Sequence, residues 1–161
     1  MSVPRISMSE RLADHLSLIP IFSALQNEEL QTIEKYMFFN KIEPGEYVFR
    51  EGEKGDYVCF VAGGALDVIK LNQHAQPVVI TTLAKGGSIG EMALIDKLTR
   101  SASVRAVAPS SLIVLTRKGF DLILKLHPEI GIKILKGVAS LLSINLRKTS
   151  DKLAEFMPPL A

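Results

Sequence analysis

The chain has 161 residues, of which 47% are hydrophobic and 22% are charged, a composition that excludes a disordered protein. The formal net charge of +2 excludes the strongly basic balance typical of nucleic-acid-binding surfaces, and no uncharged run reaches the roughly 18 residues that a membrane span needs. The single cysteine, Cys59, excludes an internal disulfide and a cysteine-rich zinc site, and one reduced thiol favours a cytoplasmic location.

The N-terminal part of the chain, from about 9 to 37, is predicted to be helical within a single domain that spans 1–161. Apolar residues recur at helical spacing until a proline interrupts them: Leu12, Leu16 and Ile19, then Pro20. Asn27 is the predicted N-cap of the next helix, because acidic residues that suit the helix dipole follow it directly. We therefore expect two short helices here.

The middle of the chain, from about 38 to 117, has the pattern of an all-β unit. Six short runs rich in β-formers are separated by glycine, proline and asparagine turns: 47–50, 57–61, 65–71, 78–83, 103–106 and 112–116. Their spacing of roughly ten residues is typical of a β-sandwich or barrel.

Helical periodicity returns from about 118 to 156. A short helix is predicted to stop before Pro128, and a long one is predicted to begin there, since proline suits the first turn. The long helix can run to about Phe156, before the next prolines. It has a wide apolar face, which consists of Ile130, Ile134, Val138, Leu141, Leu142 and Leu146.

That wide face allows two interpretations of the long helix. It is either buried within one domain or packed on a second copy, forming a homodimer through the C-terminal helix. Asn145 interrupts the face and could either set the dimer register or reach a ligand. Three cations are predicted to lie on a solvated end of the helix: Arg147, Lys148 and Lys152.

The segment from 86 to 104 departs from the strand-and-turn pattern. Glycines up to Gly90 precede a short helical stretch, and such a helix start presents free backbone N–H groups that suit an anion. Arg100 follows, with a planar guanidinium suited to two phosphate oxygens, and the small residues 101–103 allow a ligand close to the backbone. Glu91 would repel a phosphate but can accept hydrogen bonds from hydroxyls further along a ligand. Phosphate at one end and ribose hydroxyl at the other describe a nucleotide.

Other interpretations of these residues remain open. Arg100 could form a surface salt bridge, and Glu91 could simply favour a helix dipole. Glu91 and Asp96 could be taken for a catalytic carboxylate pair, but no nucleophile and base accompany them, so we expect no enzyme. The three histidines have no metal-ligand spacing, so no metal or cofactor is expected: His15, His74 and His127.

The segment resembles the phosphate-binding cassette of the cyclic nucleotide-binding domain family. The family pattern of Gly-Glu-x-Ala-Leu, a short spacer and Arg-small-Ala is met by Gly90, Glu91, Ala93, Leu94, Arg100, Ser101 and Ala102. The entry segment 19–22, the turns 43–46 and 51–56 and the junction glycine Gly64 are also similar. This resemblance implies an α+β, mainly β fold: a double-stranded β-helix, or jelly-roll-like β-roll, flanked by N-terminal helices and a long C-terminal helix.

The resemblance also implies a set of ligand-binding residues: Gly90, Glu91, Met92, Ala93, Arg100, Ser101, Ala102 and Asn145. In the family, the arginine binds the phosphate of a 3′,5′-cyclic nucleotide, the glutamate accepts the ribose 2′-OH, and backbone N–H groups of 90–93 and 102 line the phosphate. Asn145 falls near the point where the C-terminal helix of catabolite-activator-like members caps the purine. Ser101, the residue that such members often carry, favours cyclic AMP over cyclic GMP.

The expected function is therefore a cyclic nucleotide sensor that transmits ligand occupancy through its C-terminal helix to an unknown effector protein. The alternative is a module that has lost its ligand and serves in protein interaction or dimerisation. Catabolite-activator-like regulators continue into a DNA-binding domain, and the residues after Thr149 leave no room for one. We therefore expect a stand-alone sensing module, or a fragment of a longer protein.

Overall fold

The computed structural model describes residues 11–161, so the predicted helix start near residue 9 lies outside the described residues. The N-terminal part contains two short helices and two 3₁₀ segments: α1 (Leu12–Leu16), Pro20–Phe22, α2 (Asn27–Ile33) and Glu34–Tyr36. The predicted N-cap at Asn27 is wrong by one residue, because Gln26 is the cap. The Gln26 backbone N–H donates to Glu29 Oε1 at 3.0 Å, so the acid three residues further on determines where the helix begins.

Eight strands form the centre of the molecule. They are β1 (Met37–Ile42), β2 (Tyr47–Phe49), β3 (Tyr57–Gly63), β4 (Leu66–Leu71), β5 (Pro77–Leu83), β6 (Ser88–Ile89), β7 (Ser103–Ala106) and β8 (Ser110–Thr116). They make two antiparallel sheets of four strands, in the orders β1-β8-β3-β6 and β2-β7-β4-β5. The predicted mainly-β roll with flanking helices is confirmed.

The apolar runs in β3 and β8 are continuous because both faces of their sheet are buried. Alternate residues of β3 point to opposite sides, so Val58 and Phe60 face the helices while Cys59 and Val61 face the inside of the roll. The roll interior also contains Phe49, Leu66, Val104, Leu112 and Val114. The helices therefore pack on one sheet and leave the other sheet free to form the wall of a site.

Two strands were not predicted from the sequence. β1 follows the 3₁₀ segment directly at Met37, without the glycine or proline that marks the other strand boundaries. β6 has only two residues and lies between glycines. Their pairing partners, β8 and β3, are distant in the chain, so only the tertiary structure defines them.

Two helices complete the fold, α3 (Arg117–Leu126) and α4 (Pro128–Phe156), and the predicted course of the long helix is confirmed. The first half of α4 is anchored on the N-terminal segment. Gly137 faces the backbone of Ile21 so closely that a Cβ there would collide with its carbonyl. Lys133 Nζ lies 2.7 Å from Glu29 Oε1 of α2, and this contact lowers the pKa of Glu29. Among the described helices, none is long and apolar enough to cross a membrane.

Candidate functional site

A cavity of about 570 Å³ lies between the β2-β7-β4-β5 sheet, the 3₁₀ turn Glu91–Leu94 and the second half of α4. This volume is within the range of small-molecule sites. All eight residues that the sequence singled out line it: Gly90, Glu91, Met92, Ala93, Arg100, Ser101, Ala102 and Asn145. The apolar part of the wall includes Phe49, Val68, Ile80, Leu83, Ile89, Leu98 and Val104.

The turn Glu91–Leu94 begins at a residue with a left-handed backbone. Gly90 has φ +76°, and a Cβ at this position would collide with Nη1 of Arg100. Glycine is therefore required both for the backbone conformation and for the approach of the arginine. The Gly90 carbonyl accepts from the Ala93 N–H at 3.0 Å, which closes the turn.

Arg100 forms the floor of the cavity and is only 6% exposed. Its guanidinium stacks on two aromatic rings, with Cζ 3.9 Å from the centroid of Phe49 and 4.6 Å from that of Tyr57. Nη2 donates to the Tyr57 carbonyl at 2.8 Å. The backbone of Arg100 is held as well, since its N–H donates to the Glu53 carbonyl at 2.7 Å.

The charge of Arg100 has no carboxylate within 4 Å among residues 11–161. In the same part of the chain, Nε is buried and has no hydrogen-bond partner. A buried cation without an anionic partner is costly, because desolvation is not offset by an opposite charge. The floor of the cavity is therefore suited to an anion.

Glu91 lines the same cavity and is half-buried. Burial raises the pKa of Glu91 above its ordinary value of 4.5, while its own backbone N–H and the charge of Arg100 partly oppose that rise. The carboxyl group is thus a hydrogen-bond acceptor whose charge is sensitive to its surroundings.

The second half of α4 forms the roof of the cavity. Four residues at positions i, i+3, i+4 and i+7 lie on its inner face: Asn145, Lys148, Thr149 and Lys152. Two of the cations predicted to lie on a solvated helix end, Lys148 and Lys152, are exposed as predicted and also line the cavity. Their spacing from Asn145 is the signal that could have identified them.

Sequence reasoning also missed Lys70 on β4. Its Nζ donates to the Ser101 carbonyl at 2.6 Å and lies 3.4 Å from Glu51 Oε1. A trans peptide holds its C=O and the following N–H on opposite sides, so Lys70 fixes the direction in which the Ala102 N–H points. Nothing in the sequence connects Lys70 with a segment about 30 residues away.

Cys59 lies inside the roll, below the site. Burial raises the pKa of its thiol to about 12, which makes it a small apolar core residue rather than a nucleophile. No group of three or more metal-ligating side chains occurs within 11–161.

Comparison with known proteins gives a consistent picture. The model of the cyclic nucleotide-binding domain family matches residues 39–127. The cAMP-dependent protein kinase regulatory subunit of Blastocladiella emersonii is 37% identical over 107 residues, which are 66% of this chain and 27% of that protein. The chain spans less than a third of the length of the first curated relatives that it matches.

Two solved structures share the architecture. A cyclic nucleotide-binding domain from Methylobacillus flagellatus is 28% identical with a TM-score of 0.82, over 92% of this chain and 83% of that one. The catabolite activator protein of Thermus thermophilus is 27% identical with a TM-score of 0.77, over 85% of this chain and 62% of that one.

Proposed function

The chain belongs to the cyclic nucleotide-binding domain family, and from that premise we propose that it is a non-enzymatic sensor of a 3′,5′-cyclic nucleotide. Cyclic AMP is the proposed ligand. The observation that carries the proposal is Arg100, a buried guanidinium at the floor of a nucleotide-sized cavity, with no carboxylate within 4 Å in the described chain.

The phosphate end of the ligand binds at Arg100. A cyclic phosphodiester carries one negative charge and two exocyclic oxygens, which suit the fork of a guanidinium. The stack on Phe49 holds the guanidinium plane in one orientation. Backbone N–H groups of the turn that starts after Gly90, and that of Ala102, add donors around the same oxygens.

The ribose end binds at Glu91. The cyclic phosphate ties up the 3′ and 5′ oxygens, so only the 2′-OH is free to donate a hydrogen bond to a carboxylate. Glu91 is one residue beyond Gly90 in the chain and lines the same cavity as Arg100, so one short ligand can reach both.

The base end points toward the roof. Asn145 can donate to or accept from a purine edge, and Ser101 adds a hydroxyl to the lining of the same cavity. Ser101 is the feature that favours cyclic AMP over cyclic GMP in this proposal.

Transmission follows from the two halves of α4. Gly137 and Lys133 fix the first half on the N-terminal segment, while Asn145 and its neighbours in the second half contact the ligand. A ligand that binds one position of the second half more tightly shifts the population of helix positions. An effector protein would sense that shift.

An apolar strip of the same half-helix, next to the strip that lines the cavity, supports a homodimer. Leu146, Leu153 and Phe156 are 68%, 59% and 83% exposed. Leu142, Leu146, Leu153 and Phe156 are spaced by four, seven and three residues, as in the a and d positions of a coiled coil.

We place the protein in the cytoplasm, since its one described cysteine is a buried reduced thiol.

The unpaired charge of Arg100 argues against a module that has lost its ligand, because such a module gains nothing from a buried cation.

The sensor and the interaction module are distinguished by titrating the full chain with cyclic AMP, cyclic GMP and 5′-AMP in calorimetry and thermal shift. Ligand at a hundred times its Kd adds about 2.7 kcal/mol, or roughly 5–11 °C in Tm for a domain of this size.

The critical variant is Arg100→Gln, with Arg105→Gln as its control, because Arg105 lies on β7, five residues further along the chain and outside the cavity. We expect Arg100→Gln to abolish the shift and Arg105→Gln to keep it. If the wild-type chain binds no cyclic nucleotide while still forming a dimer, the interaction module is the better description.

A further inference from the structure

Arg117, the first residue of α3, contacts the walls of the site from behind. Its Nε donates to the Ala93 carbonyl at 2.8 Å, and Nη2 donates to the carbonyls of Asp96 at 2.7 Å and Gly55 at 2.9 Å. Its backbone N–H donates to the Asp56 carbonyl at 2.7 Å. One side chain thus joins two loops that are about 40 residues apart in the chain.

The first of these loops carries Glu91. The carbonyls of Ala93 and Asp96 lie at the end of the 3₁₀ turn opposite to the free N–H groups, and this end bears partial negative charge. The guanidinium of Arg117 neutralises that charge and fixes the peptide planes of the turn. Because each peptide is planar, holding the carbonyls on one side directs the turn and the side chain of Glu91 toward the cavity.

The second loop positions Arg100. Gly55 lies against its guanidinium, and a Cβ at Gly55 would be 2.5 Å from Nε of Arg100. The Glu53 carbonyl in the same loop accepts the backbone N–H of Arg100. Any shift of this loop relative to the turn therefore changes the distance between Arg100 and Glu91.

We propose that Arg117 is a positioning residue that fixes the spacing between the phosphate-binding Arg100 and the ribose-binding Glu91 without touching the ligand. This inference rests on the proposed function. Arg117 does not line the cavity, so its effect on binding would be indirect. An arginine is required, because a lysine cannot present two nitrogens to three carbonyls in a fixed plane.

The test measures the affinities of the full chain for cyclic AMP and 2′-deoxy cyclic AMP by calorimetry. The variants are Arg117→Gln and Arg117→Lys, and Arg50→Gln is the control, because Arg50 stacks on Tyr47 outside the cavity. We expect Arg117→Gln to weaken cyclic AMP binding about tenfold, the scale of one charge-assisted hydrogen bond, and Arg117→Lys to restore part of it.

The informative quantity is the ratio of the two affinities. In the wild type, we expect the Kd for 2′-deoxy cyclic AMP to be higher than the Kd for cyclic AMP, because the 2′-OH is lost. In Arg117→Gln this ratio of Kd values should be several-fold smaller, since Glu91 is no longer held in place. A role in stability alone would lower Tm and leave the ratio unchanged, and that result would overturn the inference.

Two further readouts separate this inference from the proposed function. Hydrogen exchange of the ligand-free protein should be faster across 91–96 in Arg117→Gln than in Arg50→Gln, and unchanged exchange contradicts the positioning role. If the wild type binds neither nucleotide, the proposed function fails and this inference fails with it. If the wild type binds and Arg117→Gln binds equally well, only the inference fails.

Discussion

Arg100 and Phe49 form a stacked pair at the floor of the cavity, with the guanidinium carbon 3.9 Å from the ring centroid. Phe49 comes from β2 and Arg100 from the loop before β7, so the pair joins two segments that are 51 residues apart. The aromatic face stabilises the cation without neutralising it, which leaves the charge available to an anion.

Replacing Phe49 with leucine should therefore weaken ligand binding without removing it. Loss of a cation–π contact costs about 1 kcal/mol, so we expect roughly a fivefold higher Kd for cyclic AMP. The control is Tyr47→Leu, which removes the equivalent stack on Arg50 outside the site. Equal losses in both variants, measured by calorimetry, would count against a specific role of the Phe49 stack.

The raised pKa of Glu91 predicts a pH dependence of binding. Only the ionised carboxylate accepts the ribose hydroxyl well, so affinity for cyclic AMP should fall as the pH drops through a pKa above 4.5. Titration from about pH 7 to about pH 5 measures this effect. The 2′-deoxy ligand should show a flatter profile, and parallel profiles for the two ligands would contradict the assignment.

The raised pKa of Glu91 also predicts how the stability of the ligand-free protein depends on pH. Binding of the ligand should weaken as the pH falls, whereas the contribution of Glu91 to stability should weaken as the pH rises. A carboxyl whose folded pKa is raised contributes stability that is fully present below its unfolded pKa and is lost as the pH rises through the folded pKa. Glu91→Gln should therefore be more stable than the wild type at neutral pH. Denaturant melts of both proteins at two pH values test the sign, and a less stable Glu91→Gln at neutral pH would refute it.

The contact between Gly137 and Ile21 leads to a prediction about the packing of α4 on the N-terminal segment. A Cβ at this position would meet the Ile21 carbonyl, so Gly137→Ala should push α4 outward despite the better helix propensity of alanine. We expect a net loss of about 1–2 kcal/mol in unfolding free energy. Ser140→Ala is the control, because Ser140 is an exposed position of the same helix and should be neutral or slightly stabilising.

Loss of the Lys70 side chain should have a smaller effect on the affinity for cyclic AMP than loss of the Phe49 stack. Lys70→Met removes the hydrogen bond to the Ser101 carbonyl, which frees the peptide that carries the Ala102 N–H. Since the contact is exposed, we expect about a twofold rise in Kd for cyclic AMP. Glu51→Gln keeps the bond to Ser101 and loses only the ion pair, so it should bind normally. A loss as large in Glu51→Gln would point to the ion pair instead.

Much of the architecture follows from local patterns in the sequence. Strands between glycine and proline turns and a helix between Pro128 and Phe156 are determined by neighbouring residues, so they were predicted. β1 was missed because it continues directly from a helical segment. The floor of the site at Arg100 was predicted from a contiguous motif.

The long-range hydrogen bonds to the backbone around that motif could not be predicted in the same way. Arg117 contacts the Gly55 carbonyl 62 residues away, and Lys70 contacts the Ser101 carbonyl 31 residues away. Both are ordinary cations in the sequence, and their partners are backbone atoms, which leave no trace in residue identity. Only the folded chain brings these cations to the backbone of the segments that line the cavity.

The close contact between Gly137 and Ile21 has a geometric consequence for the far end of α4. Phe156 lies 19 residues beyond Gly137, which is roughly 28 Å along a helix with a rise of 1.5 Å per residue. A tilt of about 10° around that contact would displace Phe156 sideways by roughly 5 Å, about half the diameter of a helix. Small changes at the cavity roof are thus magnified into a larger sideways movement of the apolar end of α4, where a partner could bind.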